Sequence, residues 1–182
     1  MPAEQAPGGP VRRGASALPL SAWAETRPRR ALAAGVLAGL IAGLGQAPFN
    51  LWPLLLVGLG FAAALLAAAP SLRRAALTGW AVGLGYFGFT LVWIIQPFLV
   101  DIATHGWMAP FAWFFMAGGM ALFWGAGFAL AHWLAPPGRA RVRWLAFAAA
   151  MGAMELLRAH LWTGFPWAGP GLAWIDTPVA RL

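Results

Sequence analysis

From Ala31 to Trp162 the chain is a succession of long apolar runs whose connectors hold almost all of its charge. Five runs are readable: 31–47, 51–69, 75–100, 108–135 and 144–162. Coiled as helices, the first two would each be roughly 25 to 29 Å long, about the thickness of bilayer hydrocarbon. A chain that is 61% hydrophobic and 9% charged, with a mean hydropathy of +0.71, carries more apolar side chain than one water-soluble core of this size can bury. The expected fold is therefore all-α, a polytopic transmembrane helix bundle of about five spans.

Residues 1–30 have no hydrophobic periodicity and contain Arg12, Arg13, Arg27, Arg29 and Arg30, so they read as a disordered basic tail. Pro48, Phe49 and Asn50 form a tight turn between the first two spans, with Trp52 as an interfacial anchor. The third and fourth runs exceed what a bilayer requires, which predicts tilt, a kink at Pro97 or Pro110, or interfacial ends. Residues 163–182, rich in Gly, Pro and Trp, are too broken to cross and read as a loop.

The net charge of +7 would suggest nucleic acid in a soluble protein, but here it encodes orientation. Ten of the twelve arginines fall in the tail, the 70–74 loop or the 136–143 loop. These lie on one side if the spans alternate, so the amino terminus is expected in the cytoplasm of a bacterial cell, and the intervening loops outside its inner membrane. The chain has no cysteine and no lysine, which excludes disulfides, thiolate metal sites and thiol catalysis within it. No cofactor and no metal are expected.

Trp52, Trp80, Trp107, Trp133, Trp144 and Trp162 fall near the ends of the expected spans, where indoles favour the headgroup level. Gly35, Gly39 and Gly43 repeat at a spacing of four, as do Gly79 and Gly83, a pattern that lets backbones approach closely in lipid.

The fifth run alone contains charge. Glu155 and Arg158 are three apart, hence on one helix face, and sit toward the outer end of the span. Unpaired, each would cost several kcal/mol in hydrocarbon. Two readings account for them: a self-neutralised pair with Arg158 reaching out to the outer interface, or a polar, outward-facing cavity in which Arg158 forks to a lipid phosphate and Glu155 orients it. Just beyond lie Thr163, Gly164, Phe165, Pro166 and Trp167; here Gly164 permits a helix-ending turn and Pro166 holds Phe165 extended.

Taken together, Glu155-Leu-Leu-Arg158, Thr163-Gly-Phe-Pro-Trp167, Gly171 and Asp176 resemble the signature of the apolipoprotein N-acyltransferases. Pro48-Phe-Asn-Leu-Trp-Pro53 resembles that family's first interhelical turn, and Gly83 to Trp93, followed by Ala103-Thr-His-Gly106, resembles its third helix and outer turn. The likeness runs in order from about residue 30 to the end. It implies an enzyme of lipoprotein biosynthesis that moves an acyl chain from a phospholipid to the amine of the diacylglyceryl-cysteine beginning an apolipoprotein. It also implies a nitrilase-like catalytic domain with a Glu-Lys-Cys triad.

Here the sequence departs from the family pattern, because a thioester requires a cysteine and the triad a lysine, and neither occurs. No catalytic residue is carried over. The resemblance implies that Glu155, Arg158, Thr163, Phe165, Pro166 and Trp167 line or support the route of lipid substrates. The chain is expected to be the N-terminal membrane part, inactive alone, either a truncated reading frame or one half of a split enzyme paired with a separately encoded nitrilase-like domain. Alternatives are a lipid-binding membrane subunit and a small multi-pass transporter. Expected partners are phospholipid, apolipoprotein and the membrane, with no nucleic acid.

The topology is checked by thiol labelling, for which the cysteine-free sequence is a clean background. Single cysteines at positions 71 and 138 are expected to react only from the cytoplasm, and those at 104 and 168 only from outside.

Overall fold

The computed structural model describes residues 20, 22, 24, 27–135, 140–161 and 164–178. Every regular element among them is helical. In chain order these are α1 (Pro28–Gly43), α2 (Trp52–Ala68), α3 (Leu72–Thr90), a 3₁₀ segment (Val92–Leu99), one-turn α4 (Ile102–His105), a 3₁₀ turn (Gly106–Met108), α5 (Ala109–Leu134), α6 (Ala140–His160) and a 3₁₀ turn (Pro170–Trp174).

The sequence sets most of the boundaries. Prolines occupy the first turn of α1, α2 and α5, where a missing N–H leaves no hydrogen bond unmade. Ser71 caps α3, its hydroxyl accepting from the Arg74 N–H at 3.3 Å. Pro110 therefore starts a helix instead of kinking one. The third run does break, but upstream of Pro97: α3 stops at Thr90 and bends by 45° into the 3₁₀ segment that contains the proline. Pro97 has no N–H and its ring clashes with the carbonyl four residues back, which disfavours α conformation over 93–97 but does not itself set the end at Thr90.

Two other boundaries differ from expectation. The turn after α1 occupies Leu44–Asn50 and not just its last three residues, with the Phe49 and Asn50 N–H groups both donating to the Gln46 carbonyl. It contains a cis Ala47–Pro48 bond, and Asn50 adopts φ 53°, which an asparagine tolerates. The tail expected over 1–30 lies mostly outside the described residues, Arg12 and Arg13 included. Its last three residues form the first turn of α1, however, and Leu20, Ala22 and Ala24 are helical, with Ala24 buried against Ala31 and Ala68.

α3 is the central helix, packed between α1 and α5; α2 lies on α1, and α6 on α5. Small residues make this possible. A Cβ added at Gly39 would fall 1.9 Å from the Val82 carbonyl oxygen, and one at Gly85 would fall 2.1 Å from that of Val36. On the other face of α3, Gly83 meets Ala121 and Gly79 meets Phe128. Both glycine ladders are thus used between helices of the same bundle.

Trp124, Tyr86, Phe87 and Phe128 are the largest fully buried side chains and form the core. The outside is apolar too, with Phe61, Phe115, Leu122 and Leu145 all well exposed. Continuous helical chain over Ile102–Leu134 is long and apolar enough to cross a membrane, and so are α3 and Val92–Leu99 taken together as one bent segment. Such a surface is suited to lipid. Trp52, Trp107, Trp133 and Trp144 are exposed near helix ends as expected. Trp80 is not at an end: it lies midway along α3 and donates to the Gly118 carbonyl of α5 at 3.1 Å, because its indole N–H needs a partner inside the bundle. Trp162 lies outside the described residues.

Gly85→Ala is expected to destabilise the detergent-solubilised bundle by about 1–3 kcal/mol through overpacking. Gly118→Ala, where an added Cβ meets nothing within 4 Å, should be neutral or stabilising by about 0.5–1 kcal/mol. Thermal unfolding followed by circular dichroism distinguishes the two.

Candidate functional site

The site lies where α6 ends and the chain turns back. Gly164 makes the reversal, at φ 73°, with its N–H donating to the Leu161 carbonyl at 2.9 Å. A Cβ there would fall 2.3 Å from the Ala159 carbonyl oxygen, so the position is closed to other residues. The following loop folds over Arg158.

Arg158 is 2% exposed, so the self-neutralised pair expected with Glu155 is present but Arg158 does not reach out to the interface. Its Nη1 donates to the Phe165 carbonyl at 2.5 Å and to the Trp167 carbonyl at 2.9 Å, and its Nη2 donates to Glu155 Oε2 at 2.5 Å. The guanidinium carbon lies 5.3 Å from the centre of the Phe87 ring. A buried cation is costly unless paired and hydrogen-bonded, and the loop carbonyls supply what one carboxylate cannot. The loop therefore folds where the guanidinium needs acceptors.

Glu155 is held from its other oxygen by the Trp124 indole N–H of α5, at 2.7 Å. Trp124 stacks on Tyr86 of α3, with ring centres 4.8 Å apart. The Tyr86 hydroxyl accepts from Gln46 Nε2 at 2.8 Å, and the same amide nitrogen donates to the Gly169 carbonyl at 3.3 Å. Gln46, from the turn after α1, and Arg158, from α6, thus grip the 165–169 loop from two sides. Between the gripped carbonyls of Trp167 and Gly169, Ala168 sits at φ 56°, a left-handed conformation that a residue with a Cβ rarely adopts.

Five of the residues expected at this site come together here. Glu155 and Arg158 form the pair, Phe165 packs against the core, and Trp167 is exposed, with an edge contact at 6.3 Å to Trp93 of the 3₁₀ segment. Pro166 is exposed at the wall of a cavity of about 680 Å³ between α2, α6 and the 170–174 turn. Thr163, the first residue after the fifth run, lies outside the described residues. Sequence reasoning missed Gln46, Tyr86, Phe87 and Trp124. For Gln46, Tyr86 and Trp124 the one visible signal was a polar or amphipathic side chain amid an apolar stretch, Tyr86 being the only tyrosine of the chain; Phe87 carried none.

Such an arrangement defines a class: an all-helical, lipid-adapted protein with a buried ion pair anchoring an aromatic loop beside an apolar cavity. The family described as apolipoprotein N-acyltransferase N-terminal domain matches residues 38–182. The chain is 45% identical over 157 residues to the apolipoprotein N-acyltransferase of Caulobacter vibrioides, covering 84% of this chain and 29% of that protein. It is 39% identical over 170 residues to the enzyme of that name from Rhodopseudomonas palustris (91% and 30%), and 38% identical over 158 residues to that of Pseudomonas paraeruginosa (80% and 28%). The chain belongs to the apolipoprotein N-acyltransferase family, and spans under a third of the length of these relatives.

Removing the staple should free the loop before it unfolds the bundle. Against a single-cysteine Ala173→Cys background, where the native alanine is buried, Arg158→Ala is expected to speed thiol labelling about tenfold or more, since hydrogen bonds to a charged group contribute about 1.5–3 kcal/mol each. Comparison of labelling rates with and without Arg158→Ala checks this.

Proposed function

We propose that the chain is the membrane part of an apolipoprotein N-acyltransferase of the bacterial inner membrane, with about five crossings and a cytoplasmic amino terminus. The residues before Pro28 form its basic cytoplasmic segment, 28–162 its bundle and 163–182 an outer loop. The arginine clusters in alternate connectors support this orientation, and the exposed indoles near helix ends support the crossings themselves. The bend at Leu91 and the short apolar α2 fit crossings that are completed by irregular or tilted segments.

In this reading the bundle handles the lipid substrates, and the acyl transfer to an apolipoprotein amine is chemistry that these residues, without cysteine or lysine, do not perform. The observation that carries the reading is the Glu155–Arg158 pair, which fixes the Phe165–Trp167 loop at the mouth of the apolar cavity. Glu155, Arg158, Thr163, Phe165, Pro166 and Trp167 then act as positioning residues on the lipid route, with phospholipid and apolipoprotein as partners and a nitrilase-like domain, in the same or a separate chain, completing the enzyme.

The test is made in a full-length relative. The substitution equivalent to Arg158→Ala is expected to lower N-acylation in cells about tenfold, about 1.4 kcal/mol in the barrier, with protein abundance changed less than about twofold. A parallel fall of activity and abundance would assign the pair to folding alone. Restoration of N-acylation by residues 1–182 expressed alone in depleted cells would contradict the division of labour.

A further inference from the structure

The loop that folds over Arg158 runs on through Gly169 into the 170–174 turn, and Pro170, Gly171, Leu172 and Trp174 of that turn line the cavity. The two halves are held unequally. Phe165 and Trp167 are bound through their carbonyls to a charged donor, at 2.5 and 2.9 Å, and the Phe165 N–H donates to the Arg158 carbonyl at 3.1 Å. Charge-assisted bonds are about twice as strong as neutral ones.

Beyond Ala168 the hold is lighter. Among the described residues, the hydrogen bond that ties 169–174 to the helices is neutral, from Gln46 Nε2 to the Gly169 carbonyl at 3.3 Å, and the same nitrogen also serves the Tyr86 hydroxyl. The bonds of Leu172 to Gly169 and of Ile175 to Leu172 are internal to the turn. Ala173 is buried, but Gly171, Leu172 and Ile175 are exposed, and a Cβ added at Gly171 would meet nothing within 4 Å. Few contacts therefore keep this wall in place.

Gln46 is suited to hold it. The side chain is buried, and its turn is fixed by the Phe49 and Asn50 N–H groups on the Gln46 carbonyl. A backbone carbonyl only accepts, so the amide must present its nitrogen to Gly169. Ala168 stands between the two holds at φ 56°, a left-handed conformation that costs about 1–2 kcal/mol with a Cβ present and is relieved if either neighbour is let go.

We propose that the 169–174 turn is a movable wall of the cavity, kept closed by Gln46 and jointed at Ala168, while the Phe165–Trp167 half stays fixed on Arg158. Gln46 is then a positioning residue for a cavity that it does not line, and the first interhelical turn governs access at the far end of the chain. The inference concerns the wall and not what the cavity receives, so it stands or falls separately from the lipid-handling reading.

The test uses the full 182-residue chain in detergent, with single-cysteine reporters Ala173→Cys on the wall, Phe165→Cys on the fixed half and Ala131→Cys in the core of α5. Thiol-labelling rates are compared within each background. Gln46→Met is expected to speed labelling about two- to tenfold at 173, the worth of one neutral hydrogen bond, and less than twofold at 165 and 131. Tyr86→Phe keeps the ring and leaves the Gly169 bond in place, so the rate at 173 should stay within twofold. Ala168→Gly, which removes the cost of the left-handed joint, should slow labelling at 173 about threefold or more.

An equal rise at 173 and 165 would show one rigid loop, and an equal rise at 131 a packing role for Gln46; either overturns the proposal. So does an unchanged rate at 173, or a Tyr86→Phe effect as large as that of Gln46→Met, which would place the action of Gln46 on Tyr86. If Gln46→Met fails to fold by circular dichroism, Ala168→Gly decides: labelling at 173 that is unchanged or faster overturns the jointed wall.

Discussion

A guanidinium that solvent cannot reach has to be satisfied where it stands, and Arg158 is satisfied by drawing the following loop over itself. One carboxylate neutralises its charge but leaves donors open, and the carbonyls of Phe165 and Trp167 fill them. The left-handed Ala168 is tolerable because neighbouring carbonyls are held on both sides, by Arg158 and by Gln46. The position of the aromatic loop is therefore a consequence of charge burial, not of loop propensity.

That burial depends in turn on how closely the helices pack. Glycines of α1 and α3 let the two backbones nearly touch, and those on the far side of α3 admit Trp124 and Phe128 of α5. Only then does Tyr86 stack on Trp124, and only then does the Trp124 indole reach Glu155. In lipid, where apolar side chains gain little by meeting one another, such close contacts and internal hydrogen bonds are what hold helices together. The site and the packing are one construction, running from the turn after α1 through α3 and α5 to the end of α6.

Much of this was legible in the sequence, because long uncharged apolar runs and arginine connectors leave few alternatives to a helical bundle. The pairing of Glu155 with Arg158 followed from helical spacing, and the reversal at Gly164 from its neighbours. What escaped were matters of register between helices: nothing local says that Trp124, Tyr86 and Gln46 converge on Glu155 and Gly169, or that Trp80 turns inward. The direction of Arg158 was equally hidden, since an arginine near a span end reaches interface or interior depending on which acceptors the fold supplies. The break at Leu91 lies six residues before Pro97, too far for the proline alone to signal it, and the burial of Ala24 depends on contacts with Ala31 and Ala68 that local sequence does not show.

The central claim is that Glu155 and Arg158 act as one unit and that each is costly without the other. A double-mutant cycle with Glu155→Gln, Arg158→Met and the combined variant, read as unfolding free energy in detergent, measures this directly. The account predicts a double variant clearly more stable than the Arg158→Met single variant plus the Glu155→Gln increment, with a coupling of about 1.5–3 kcal/mol. Additive effects, within about 0.5 kcal/mol, would contradict it.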